Sequence, residues 1–142
     1  MAYAQWVSFT MKTIGFDATV DSASLDWGKF YKWDNKDQEE SAGDIDTLKF
    51  QANKSYTNAI SSCGREDSPS GTQGHFDLFT QVGGQKTQVC RLNWDCPWGS
   101  KTNSWSASDY DDEKYIVSIS GGSSYGGAIG TLSVMVAAIP PG

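Results

Sequence analysis

Apolar side chains in this chain recur at every second position, in short runs separated by turn formers, and that alternation restricts it to β structure. Tyr3, Val7, Phe9 and Met11 share one face of a first strand. Ala4, Trp6, Ser8, Thr10 and Lys12 share the other, where Trp6 is the odd residue and is expected to pack beneath a neighbouring loop. A second strand is expected over 18–27, ending at Trp27-Gly28, with short strands near 45–51 and 55–62. Phe76, Leu78 and Val82 alternate with His75, Asp77 and Gln81. Gly83-Gly84 is a hairpin signal, and 89–94 answers as the partner strand. Tyr115, Val117 and Ile119 alternate in a late strand. After the glycine-rich 121–127, Leu132, Val134 and Val136 face one way in the last. Regular short strands with turns between them indicate an all-β sandwich or barrel. No segment combines helix caps with a 3.6-residue period; 34–46 is expected to be a long polar loop, and 137–142 a frayed tail.

One segment does not fit a plain strand. WDCPWGSKTN at 94–103 places two tryptophans and a lysine among turn formers, and Pro97 and Gly99 would break a ladder. Indoles favour membrane–water interfaces, and Lys101 can meet a phosphate as a compact point charge. The segment therefore reads as a surface for lipid head groups. The residues alone fit equally well a turn whose indoles fold back onto the core.

The 142 residues suffice for one domain with a real core. A net charge of −6 with no basic stripe argues against nucleic acid, and against binding strongly anionic membranes by charge alone. No apolar run approaches the roughly 20 residues that span a bilayer. No secretory signal is visible at the N-terminus, so a cytoplasmic or non-classically secreted protein is expected. Cys63, Cys90 and Cys96 are an odd number without CxxC spacing, and read as reduced thiols. A Cys63–Cys96 bridge would depend on geometry. Catalytic patterns are few. His75, the single histidine, has Asp77 on its strand face, but neither a serine-nucleophile elbow nor a zinc-protease motif is present. Asp109, Asp111, Asp112 and Glu113 lack the calcium-loop period and read as a solvated loop. Asn53-Lys54-Ser55 is a formal glycosylation sequon. No enzyme activity, cofactor or metal is expected.

WDCPWGSKTN resembles the signature of the aegerolysin family of small fungal and bacterial proteins. Further blocks agree in the family's order: AYAQWV at 2–7, the SWGK-like LDWGKF at 25–30, the run 34–37, CGRED at 63–67 with GTQGHFDL at 71–78, and YGGAIG at 125–130. The resemblance implies a single-domain antiparallel β-sandwich over 1–142. It also implies binding to membranes that contain sphingolipids such as sphingomyelin with cholesterol or ceramide phosphoethanolamine. Several members act with a larger perforin-like partner to form pores, the aegerolysin docking on lipid and recruiting the partner, and some relatives are haemolytic or insecticidal. Carried onto this chain, the implied lipid site uses Trp27, Trp94 and Trp98 with Lys101 beside them. Trp6 and Ser70 complete the candidate set. At Ser70, preceded by Pro69, some members carry a glutamate, and its absence bears on lipid preference. The Gly83-Gly84 hairpin with its extra Cys90 is expected to be peripheral. Two other classes remain open: a carbohydrate-binding module that stacks sugars on surface tryptophans, and an intracellular or developmental protein without a membrane target.

Overall fold

The computed structural model describes residues 2–99 and 101–140. Its elements run β1 (Trp6–Ile14), β2 (Ala18–Trp27), β3 (Lys29–Lys32), β4 (Asn35–Glu40), α1 (Ala42–Ile45), β5 (Lys49–Phe50), β6 (Ser55–Cys63), β7 (Thr72–Val82), β8 (Gln85–Cys96), β9 (Ser104–Ser108), β10 (Tyr115–Gly121) and β11 (Gly130–Ala138), after a short 3-10 turn at Ala2–Ala4. One sheet has the order β10-β11-β1-β6-β3-β4 and the other β5-β2-β7-β8-β9. The expected β-sandwich is the fold. Its pairings are antiparallel except for β1 with β11, which run parallel.

The alternation places the core as expected. Val7, Phe9 and Met11 are buried beside Leu132, Val134 and Val136, with Phe9 paired to Leu132 and Met11 to Val134. The other sheet answers with Phe76, Leu78, Leu92 and Trp94. Aromatic rings lock the two layers: Phe9 meets Phe76 edge-on at 5.1 Å and Trp94 at 5.4 Å between centroids. Each such side chain contributes about 1.5–3 kcal/mol by leaving water. Gly83 and Gly84 take φ of +58° and +80°, the conformation that a two-residue hairpin between right-twisted strands requires.

The structure departs from the sequence expectations in four places. First, 34–46 is not a loop: it holds β4, an edge strand with no inward apolar residue, and the one-turn α1. Ser41 and Asp44 form a capping box, Ser41 Oγ accepting from the Asp44 amide while Asp44 Oδ2 accepts from the Ser41 amide. The turn buries Ile45, and the expected strand near 45–51 shrinks to β5. Second, Ala137 and Ala138 belong to β11, and the Ile139 amide donates to the Lys114 carbonyl, so the chain is held to that point; 141–142 lie outside the described residues. Third, Cys90 is not peripheral. Register shifts so that Leu78 pairs with Cys90 and Phe79 with Gln88, and this bulge turns both Val89 and Cys90 into the core. Fourth, Asp77 is buried on an outward position, gripped by Arg91 through Nε at 2.7 Å and Nη2 at 3.1 Å.

Candidate functional site

The ends of β2 and β8 and the starts of β7 and β9 lie side by side. Trp27 pairs with Gln73, Gln73 with Asp95, and Asp95 with Ser104. Strand pairing thus brings the 25–30 block, the 71–78 block and the 94–103 block to one end of the sandwich. There they enclose an open groove of about 890 Å³. Trp27 and Trp98 stand along it, with Ser70, Gly71, Thr72, Pro97 and Lys101.

Of the six candidate residues, four line this groove: Trp27, Trp98, Lys101 and Ser70. Trp27 and Trp98 are 59 % and 44 % exposed, high for indoles. Two candidates lie elsewhere. Trp94 is only 2 % exposed and sits in the core against Phe9, Phe30 and Phe76. Its expected role as a lipid-contacting ring is corrected to a structural one, because β8 runs unbroken through 94 and points its side chain inward between Leu92 and Cys96. Trp6 does not line the groove. It packs against Trp33 at 5.5 Å, and Lys36 Nζ lies 5.3 Å over its ring, so the turn after β3 and the start of β4 cover it.

Trp94 still shapes the groove from below. Its Nε1–H donates to Thr72 Oγ1 at 3.0 Å; Thr72 Oγ1 is 2.6 Å from Ser62 Oγ, which donates to the Lys29 carbonyl. This buried chain ties β8, β7, β6 and β3 together directly beneath the groove, where an unmade bond would cost about 1–3 kcal/mol. Sequence reasoning missed a second organiser, Asn103. Its amide nitrogen donates to the carbonyls of Ser123, Tyr125 and Gly127, and its backbone N–H to that of Ser124. One buried side chain therefore holds the segment after Trp98 against the 121–129 loop. A single asparagine at the end of a turn-rich run carries no sequence signal for such a task. Glycine completes the frame at Gly71, where a Cβ would lie 1.8 Å from the Cys96 carbonyl oxygen.

The other candidate chemistry disperses. Asp77 is taken by Arg91, and His75 faces Asn93 across the ladder, so these two do not form an acid–base pair. Asp111 Oδ1 accepts from the Glu113 amide, and Asp109 lies 3.8 Å from Arg91. Among the described residues no group of three or more His, Cys, Asp or Glu is placed to hold a metal ion. Asn53 Oδ1 accepts from the Gly15 amide, at a φ of +67°.

All three cysteines are free and buried. Burial pushes the thiols of Cys63 and Cys96 up to about 11 and that of Cys90 to about 12. Since these folded values lie above the ordinary 9.0, the thiols favour the fold fully below pH 9. That contribution is lost as pH rises through 11–12. Thermal melts should therefore fall above pH 9, and less steeply for Cys90→Ala than for wild type. A flat profile from pH 8 to 11 would contradict the burial of these groups.

The aegerolysin family model matches residues 4–139. Asp-hemolysin of Aspergillus fumigatus is 41 % identical over 95 % of this chain and 94 % of its own length. Ostreolysin A6 of Pleurotus ostreatus is 38 % identical over 94 % and 95 %. A crystal structure of RahU protein in complex with TRIS superposes with a TM-score of 0.88 at 34 % identity, covering 99 % of this chain and 100 % of that one. Fold, block order and match extent agree: the chain belongs to the aegerolysin family, lipid-binding proteins related to cytolysins.

Proposed function

We propose that the protein binds membranes by recognising sphingolipid head groups in the groove, and that it is the docking component of a two-component cytolysin whose pore is completed by a perforin-like partner. The lipids intended are sphingomyelin with cholesterol, or ceramide phosphoethanolamine. The role is binding, not catalysis, and the protein acts peripherally on the target membrane. The observation that carries the reading is the pair of half-exposed indoles, Trp27 and Trp98, beside the exposed Lys101. Indoles at the end of a rigid sandwich enter the head-group layer without refolding, and Lys101 meets a phosphodiester there. A net charge of −6 offers no bulk attraction to anionic lipid, so selectivity must come from local contacts. Asp-hemolysin carries haemolysis in its name.

The need for a partner rests on where the apolar residues go. Both sheets spend their inward faces on the common core. Among the described residues no helix is long and apolar enough to cross a membrane. Inserting a strand would expose the core that holds the sandwich together.

Vesicle sedimentation with calcein release tests the proposal. The chain alone should pellet with sphingolipid–sterol vesicles and release little dye. Lys101→Glu should weaken pelleting by about 1 kcal/mol, typical of a partly exposed charge pair, and salt should matter little. Efficient release by the chain alone would overturn the docking role. Binding that follows phosphatidylserine would overturn the lipid assignment. Binding on a glycan array without pelleting would favour the sugar-stacking reading instead.

A further inference from the structure

The groove contains one cation and one carboxylate among its lining residues, Lys101 and Asp95. Asp95 belongs to the outward row Trp27–Gln73–Asp95–Ser104 and is half-buried at the end of β8. Ion pairs elsewhere in the fold neutralise Asp77 with Arg91, Asp21 with Lys86 and Glu39 with Arg65. Among the described residues, neither Lys101 nor Asp95 has an ion-pair partner. The negative end continues beyond the groove. An adjoining depression shares Gln73 and Asp95 with it and adds the exposed carboxylate of Asp26.

We propose that Asp95 receives the ammonium group of the lipid whose phosphate Lys101 holds, so that the groove selects phosphodiesters carrying an amine. The inference rests on the head-group reading above and adds to it the residue that recognises the amine. Lys101 alone would accept any phosphate, monoester or diester, with or without an amine. A fixed carboxylate in the same groove changes that. It attracts a cation two carbons from the phosphate and repels a head group whose negative charge is unbalanced. Discrimination thus comes from a repulsive element as much as an attractive one. Trp27, two strands away in the same row and so roughly 10 Å distant, offers an indole face on which the methyls of a quaternary ammonium can rest.

The test uses digalactosyldiacylglycerol–sterol vesicles, whose matrix contains neither phosphate nor amine, doped with sphingomyelin, ceramide phosphoethanolamine or amine-free ceramide phosphate. Undoped vesicles set the baseline. Wild type should prefer both amine-bearing lipids over ceramide phosphate. Asp95→Asn, nearly isosteric on the strand surface, should lose about five-fold in affinity for the amine-bearing lipids, as for a partly exposed charge pair. Its binding to ceramide phosphate should be unchanged or stronger, so the preference collapses. Asp95→Glu should retain it. Equal loss on all three lipids would show a structural role and overturn the proposal, as would an unaltered preference in Asp95→Asn. Wild-type binding to none of the doped vesicles would instead sink the sphingolipid reading, and this inference with it. Wild-type binding to all three alike would overturn the inference alone.

Discussion

Trp94→Ala should destabilise the fold by about 3–5 kcal/mol, as for other large-to-small aromatic changes in cores, whereas Trp27→Ala and Trp98→Ala should leave the melting temperature nearly unchanged and remove most vesicle binding. The three residues are chemically identical, and only their burial distinguishes them. Trp94→Ala removes the packing against Phe9, Phe30 and Phe76 and the indole N–H donated to Thr72 Oγ1, which keeps only its bond with Ser62 Oγ. Its melting temperature should drop by on the order of 10 °C or more. Trp27 and Trp98 expose about half of their surface, and burying about 100 Å² more of an indole in lipid is worth about 2–3 kcal/mol. That corresponds to a loss of affinity of roughly 30- to 150-fold per ring. Scanning calorimetry beside vesicle sedimentation separates the two effects. A large stability loss in Trp27→Ala or Trp98→Ala with binding intact would remove these rings from the site.

Gly71→Ala should damage both stability and binding through one added methyl group. The new Cβ would lie 1.8 Å from the Cys96 carbonyl oxygen, 2.8 Å from the Cys96 carbonyl carbon and 2.9 Å from the Pro97 carbonyl carbon. All three are backbone atoms, so no side chain can rotate away, and Pro97 stiffens the segment that would have to move. The expected cost is about 1–3 kcal/mol or more, the usual range for overpacking. Trp98 moves with that segment, and vesicle binding should fall at least as far as in Trp98→Ala. Gly43→Ala is the control, because its Cβ meets only Ser41 Oγ at 3.6 Å in the first turn of α1. It should leave binding and melting unchanged. Normal binding by a folded Gly71→Ala variant would mean that the close approach of 71 to 96–97 does not set the groove.

How far the sequence carries can be judged residue by residue. Val7, Phe9 and Met11, or Leu132, Val134 and Val136, announce their strands because period 2 is local: each side chain's face follows from its neighbour's. The Gly83-Gly84 turn is equally local. Trp94 was legible by the same rule, since Leu92, Trp94 and Cys96 alternate with Arg91, Asn93 and Asp95. The turn formers Pro97 and Gly99 begin only after β8 has ended at Cys96, so they do not alter the facing of 94. β4 and β9 are illegible for a different reason. Edge strands gain their pairing from one neighbour and need no apolar face, so Asn35–Glu40 looks like any polar loop.

Composition and alternation by themselves therefore determined an all-β chain, most of its inward faces and, through the motif blocks, its family. The tertiary structure alone decided which tryptophans meet solvent, that Cys90 enters the core, that Asn103 clamps two loops, and that Asp95, not Trp94, joins Trp27, Trp98 and Lys101 along one groove. The physical reason is that facing along a strand is set between adjacent residues, whereas register, bulges and loop contacts are set by partners well beyond the local period, on a neighbouring strand or a distant loop. Gln73 faces Trp27 and Asp95 across two ladders, and nothing within a few residues of any of the three records it.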